Sequence, residues 1–297
     1  MIQFFLPLLF LSATVLSAQQ APMGYDLSSP KLVGEMPKEL DEISGLSLTE
    51  DSHNELLAIQ DESGKVFRVN IRTGKMTSSI TFWKDGDYEG VEAVGNDVWV
   101  LKSTGTLYQI KNIGQADQEV EKYNTKLNSD NNVEGLTYDQ SRNRLLLACK
   151  EDAPDDGNNK NGRYVFAFDL ATKKLGKNPV YAIEREAVQK YLQSCEKSAS
   201  HEKLCDFFMA KDEFDLAPSA IAIHPVTGQL FITSSVGKVL MILSASGTIE
   251  GLYKLDKKFF PQPEGLAFAP DGTLYISTEA KKNNPARVYR LAYRAKS

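Results

Sequence analysis

Histidine is nearly missing from this chain, with three residues in 297, and cysteine is no commoner, with three. So few nitrogen and sulfur ligands argue against a zinc site. They also leave a His-based mechanism little to work with. Nothing matches a GxSxG elbow, a zincin motif or a P-loop. A basic excess is missing too: 34 Lys and Arg stand against 39 Asp and Glu, for a formal charge of −5. Without a basic stripe to meet phosphates, nucleic acid is excluded as a partner. Beyond the first twenty residues no apolar run approaches membrane length. The diffuse acidity reads as a solubility device.

The one apolar run, MIQFFLPLLFLSATVLSAQQ, has the length and small-residue ending of a secretory signal over residues 1–18, cleaved near Ala18-Gln19. It lacks the usual Lys or Arg at its start. No Cys follows the cleavage region, so a lipoprotein anchor is not expected. The mature chain is expected to be exported, to the periplasm or outside, and to be a monomer.

The rest of the chain repeats itself. SGL, EGV and EGL place Gly45, Gly90 and Gly135 at a spacing of 45 residues. A further EGL ends the series at Gly265, and Ala220 in PSAIAI stands 45 residues before it. Each copy continues with a short apolar strand, a turn of Gly, Asn, Asp or Pro, and two more strands rich in Val, Ile, Leu, Phe and Tyr. That is hairpin grammar, and helical three-and-four spacing is absent from all five copies. A fourth, more polar strand follows in some, as in MTSSITFW and VYAIERE. Repeats of about 45 residues with four strands each are propeller blades. The fold class is therefore all-β, a five-bladed β-propeller of four-stranded antiparallel blades, one domain over 24–297. LVGEMPKE, which has no inner strands before it, is expected to complete the last blade.

The irregular 85-residue step between Gly135 and Ala220 holds a helical insertion at about 184–214, before the fourth blade. Cys195 and Cys205 both fall in it, and in an oxidising compartment a disulfide between them is expected to staple two short helices. Cys149 lies in a blade strand and reads as a buried free thiol.

The residues preceding the repeated position are Ser44, Glu89, Glu134, Ser219 and Glu264. Inner strands line a propeller's channel, so these side chains should meet at one mouth. Three carboxylates so placed repel, and must take up a proton or recruit a cation. A ring of hard oxygens without His or Cys suits Ca2+, which accepts six to eight oxygens, better than Mg2+ or Zn2+. The competing reading pairs the carboxylates with Lys102 and Lys150. DDGNNKNG, Asp155 to Gly162, lacks EF-hand spacing and reads as a hairpin tip. His224 and His53 read as turn residues.

With EISGL, DYEGVEAVGNDVWVLKSTGTLY, NNVEGLTYD and QPEGLAFAPDGTLYIS in view, the chain resembles the SdiA-regulated family, also called YjiK/CarP, over nearly all of its mature length. NHL-repeat and lactonase-type propellers share a looser version of the pattern. The resemblance implies a five-bladed propeller with bound calcium and a link to calcium response. Carried across, it places the metal on Glu89, Glu134 and Glu264. Ser44 and Ser219 depart from the Glu-Gly form, so the carboxylate ring is incomplete. The leading function is a calcium-binding module with a protein or small-molecule partner at the channel mouth. The alternative is a calcium-dependent hydrolase of the lactonase or phytase-like type, with Glu62, Glu151 or Glu279 in place of a histidine base.

Overall fold

The computed structural model describes residues 24–49, 54–151, 161–195, 198–209, 214–282 and 284–295. The expected signal segment, His53 and residues 155–160 of the expected hairpin tip lie outside the described residues. Strand β1 (Lys31–Glu35) precedes the blades. Blade one holds β2 (Ile43–Leu48), β3 (Glu55–Gln60), β4 (Lys65–Asn70) and β5 (Lys75–Thr81). Blade two holds β6 (Tyr88–Val94), β7 (Asp97–Lys102), β8 (Leu107–Lys111) and β9 (Glu119–Tyr123). Blade three runs β10 (Val133–Asp139), β11 (Arg144–Cys149) and β12 (Gly162–Asp169), and splits its outer strand into β13 (Lys174–Leu175) and β14 (Tyr181–Glu184). Helices α1 (Arg185–Ser194) and α2 (Ala199–Met209) come next. Blade four holds β15 (Pro218–Ile223), β16 (Leu230–Ser234), β17 (Val239–Leu243) and β18 (Ile249–Lys254). Blade five holds β19 (Pro263–Phe268), β20 (Leu274–Thr278) and β21 (Arg287–Leu291), and β1 pairs antiparallel with β21 to finish it. This is the five-bladed architecture expected from the repeat, closed by the N-terminal strand.

Each blade faces a neighbour on both sides, and each interface is its own apolar core. Leu57, Ile59, Val91 and Val100 fill the space between blades one and two. Trp99, Leu101, Leu147 and Phe166 do so between two and three. Middle strands covered on both faces read as unbroken apolar runs, as in β11, where Leu145 to Cys149 are all buried. Outer strands alternate instead; β5 shows half-buried and exposed residues in turn.

The repeated glycine answers a steric demand at the axis. A Cβ on Gly90 would lie 2.5 Å from Cβ of Leu136 in the next blade, and one on Gly45 would lie 3.0 Å from the Val91 nitrogen. Five inner strands can approach this closely only where side chains are absent or minimal.

The insertion packs into the core between blades three and four. Val188 and Leu192, one turn apart on α1, meet Leu204 and Phe208 of α2 above Val165, Ile221 and Met241. The expected Cys195–Cys205 disulfide does not form: all three cysteines are free. Cys195 ends α1, while the Cys205 sulfur turns to His201, 3.6 Å from Nδ1. The helices are joined by that apolar contact and by His201 Nε2, which donates to the Leu192 carbonyl at 2.7 Å. Among the described residues no helix is long and apolar enough to cross a membrane.

Candidate functional site at the acidic channel mouth

In all five blades the pairing of first and second strands slips at one place. The shifts fall at Ile43/Gly45, Tyr88/Gly90, Val133/Gly135, Pro218/Ala220 and Pro263/Gly265. The residue skipped is Ser44, Glu89, Glu134, Ser219 or Glu264. A bulge leaves its residue outside the ladder and re-aims the side chain. The repeated position is thus a bulge position, and Ser44, Glu89 and Glu134 border a void of about 10 Å³ beside the glycines.

A second tier follows from the register. The residue immediately after each second strand is Asp61, Ser103, Lys150, Ser235 or Glu279. Backbone bonds tie this tier to neighbouring blades: Tyr88 N–H donates to the Asp61 carbonyl at 2.9 Å, and Val133 N–H to the Ser103 carbonyl at 2.8 Å. Lys150 Nζ donates to Glu134 Oε1 at 2.7 Å, and Asn132 Nδ2 adds a bond of 3.1 Å to the same oxygen. Ser103 Oγ donates to Asp87, and Gln262 Nε2 to Glu279. Ser219 Oγ is spent on the Pro263 carbonyl at 2.8 Å, and Ser44 Oγ on the Glu42 carbonyl at 3.1 Å.

The electrostatics of the mouth are those of unbalanced negative charge. Burial, then the charges of Glu134, Asp87 and Asp61, push Glu89 up to about 9. Burial and the charges of Glu134 and Glu279 push Glu264 up to about 8, against the pull of Lys150 and Ser235. Glu134 is raised by burial to about 7, held there by Lys150 and Asn132. Glu279 reaches about 7 through burial and the charges of Asp61, Glu42 and Glu134. Asp61 reaches about 6 through burial and the charges of Glu42 and Glu62. Its Oδ1 is buried with no hydrogen-bond partner. Lys150 is raised, because Glu134, Glu264 and Glu89 overcome the cost of burying it.

Among the three repeated glutamates, Glu134 acts on both Glu89 and Glu264. Of the two lysines, Lys150 takes a carboxylate, whereas Lys102 lies inside β7 opposite Tyr88 and has no ion pair among the described residues. Glu62 and Glu151 are exposed; Glu62 reaches the network only as a charge that raises Asp61, whereas Glu279 is itself raised within it. Asp61 and Asp87 were not singled out by the repeat. Counting one residue past each second strand would have found Asp61. His224 is a turn residue, and a structural one: buried, its Nδ1 accepts from the backbone N–H of Val226 and Thr227 at 3.1 and 3.2 Å, and Tyr25 Oη lies 2.8 Å from Nε2.

Fitness for a cation is divided. Hard oxygens, carboxylates raised by burial and by neighbouring negative charge, and the orphaned Asp61 Oδ1 all suit one. Spacing does not yet: among the described residues no group of three or more His, Cys, Asp or Glu stands at ligand distance.

The sequence from residue 30 to 292 matches the SdiA-regulated family. The chain belongs to this family. No curated protein matches the sequence. Among solved structures, this SdiA-regulated protein is similar to a gluconolactonase of Xanthomonas campestris, with a TM-score of 0.51 and 10% identity over 85% of this chain and 72% of that one. It is also similar to the PQQ-bound aldose sugar dehydrogenase of Streptomyces coelicolor, with a TM-score of 0.50 and 13% identity over 90% and 98%. A luciferin-regenerating enzyme gives 0.47 at 13% identity over 84% and 77%. At such identities the likeness is one of fold.

Proposed function

We propose that the acidic mouth takes up a divalent cation, Ca2+ by the chemistry of its donors, and that the protein is an exported calcium-dependent propeller. The observation carrying this reading is the set of Glu89, Glu264 and Asp61, buried or half-buried carboxylates whose proton affinity is raised with no cation of their own. Glu89, Glu134 and Glu264 would hold the ion with Asp61, while Ser44 and Ser219, spent on carbonyls, would contribute little. Uptake requires the carboxylates to draw together and Glu134 to loosen from Lys150.

Of the two uses for such an ion, hydrolysis is better supported than a purely binding role. A bound Ca2+ polarises a carbonyl or phosphoryl oxygen. Glu279, raised to about 7 and outside that ligand set, can hold or release a proton at neutral pH, which is the property a general base needs. The fold it shares with a gluconolactonase makes lactones and related esters the first substrates to try.

Metal analysis of protein purified without chelator, with paired melts in Ca2+ and EDTA, tests the ion. Binding at a hundredfold excess over Kd stabilises the folded state by about 2.7 kcal/mol, which separates the melts by several degrees. Coincident melts and absent metal would remove the site. A calcium-dependent turnover of lactones, esters or phosphoesters then separates the enzyme from the binding module.

A further inference from the structure

The two ends of the described chain meet over blade five. Arg294 N–H donates to the Gly24 carbonyl at 2.9 Å, and Tyr25 Oη donates to the Gly272 carbonyl at 2.5 Å. Beside this junction, where β1 closes the ring, lies a pocket of about 370 Å³. Its charged lining is Lys31, Arg290 and Arg294 against a single carboxylate, Asp26.

Strand register sets the cations side by side. Lys31 stands directly opposite Arg290 across β1 and β21, and Tyr275 of β20 stands opposite Arg290 on the other side. Strand residues two apart share a face, so Thr273, Arg290 and Lys31 line the pocket from one face of three adjacent strands. Like charges directly opposite in an antiparallel pair repel. At the far end of the same strand pair the chain supplies a counter-charge, and Arg287 donates to Glu35 at 2.8 Å. At this end it supplies none: among the described residues, Lys31, Arg290 and Arg294 make no side-chain hydrogen bond or ion pair. Asp26 is held by its own loop, where Oδ1 accepts from the Ser28 N–H at 3.0 Å and from Ser28 Oγ at 2.6 Å, although the charge of Arg294 reaches it. Asp271, outside the lining, accepts from the Thr273 N–H at 2.8 Å. Positive charge remains in excess even when both carboxylates are counted.

We propose that this pocket binds the phosphate group of a small ligand, shared between Arg290 and Lys31, with Arg294 and the Thr273 hydroxyl at its edge. A guanidinium presents a fork of N–H donors that matches phosphate oxygens, and an ammonium adds a compact charge beside it. The volume falls within the range of small-molecule sites, about 300–1,000 Å³, which leaves room for a short organic remainder. Bound phosphate turns a repelling pair into a bridge and fastens β1 to β21.

The test is an NMR shift titration of the whole mature chain, stripped of metal and then of chelator, at constant ionic strength. The probes are inorganic phosphate, glycerol 3-phosphate and acetate. At least one of the two phosphates is expected to shift the amides of Lys31, Thr273 and Arg290 and to bind about tenfold tighter than acetate. The tighter of the two identifies the free ion or a monoester as the ligand. Arg290→Gln should weaken that binding about tenfold and Lys31→Gln severalfold, whereas Asp26→Asn should tighten it. Lys122→Gln, at an exposed lysine of β9 in blade two, should change nothing, which separates a site from general surface charge. Hydrogen exchange in β1 should slow in phosphate and not in acetate. The proposal is overturned by equal responses to phosphate and acetate, by no response to either phosphate, by binding that survives Arg290→Gln, by an equal loss in Lys122→Gln, or by β1 exchange that phosphate leaves unchanged. Should Arg290→Gln fail to fold by its melt, Lys31→Gln on the edge strand carries the test.

Discussion

Lys150 Nζ lies 2.7 Å from Glu134 Oε1, and the charges of Glu264 and Glu89 act on the same ammonium. If the mouth takes up the proposed cation, Lys150 would compete with it for Glu134, and that competition can be measured.

Lys150→Met removes the competitor while keeping length and apolar bulk. Calcium affinity should rise on the order of tenfold, equivalent to about 1.4 kcal/mol. Calorimetric titration of the variant against the parent checks it. A fall in affinity would mean that Lys150 organises the site instead of contesting it.

The three glutamates should not behave alike when neutralised. Without metal, Glu89→Gln relieves repulsion and should leave the melting temperature unchanged or higher. Glu134→Gln instead strands Lys150 and should cost about 2 kcal/mol, less than a fully buried pair would, because Lys150 reaches solvent. Both variants, and Glu264→Gln, should weaken calcium binding. Chelator-treated melts and titrations of the three decide it; equal destabilisation with and without calcium would leave only the salt-bridge role.

Proton linkage gives a further signature. Glu89, Glu264, Glu134 and Glu279 are raised in the folded state, so the folded protein binds more protons than the unfolded chain between the ordinary carboxylate range and about 9. Stability therefore falls as pH rises through that window. Metal-free protein should melt higher at pH 5 than at pH 8, and calcium should flatten the difference. Calcium uptake at pH 7 should also release protons, visible as a buffer-dependent binding enthalpy. A metal-free profile that rises with pH would contradict the electrostatics of the mouth.

The insertion should be indifferent to redox state. Dithiothreitol is expected to leave the melt unchanged, and Cys195→Ser to be nearly silent. His201→Ala should loosen α1 and α2 by about 1 kcal/mol, through the lost bond to the Leu192 carbonyl. Hydrogen exchange across 185–209 reads both effects.

The ring was legible because its grammar is local. Strand period, turn residues and a 45-residue step sit in the text, and Gly90 repeats because a neighbour's Leu136 lies against it. Glu89, Glu134 and Glu264 were legible for the same reason. Asp61 was harder, because it joins the mouth through strand register, and a count one residue out points to Glu62 or Lys102 instead; Glu279 was named only as a substitute base. The bulges at the five inner strands leave no mark in composition. The Cys195–Cys205 pairing failed because nearness in sequence says little about where two sulfurs point, and an imidazole one turn away had already claimed one of them.

Completion of blade five by β1 has a kinetic consequence. Glu35 and Arg287 are joined across 252 residues, by a bond of 2.8 Å from Nη2 to Oε1. Contacts so distant in the chain form late, since a long loop must close before they contribute. A chain emerging in order from N- to C-terminus can assemble four blades early, but holds β1 unpaired until the final strand arrives. During that interval β21, once formed, shows a row of unpaired backbone donors and acceptors to any other chain. Two half-finished rings could satisfy those groups by trading their β1 strands. Exchanged dimers, formed only at high concentration during refolding and never from the closed ring, are the misassembly this architecture invites.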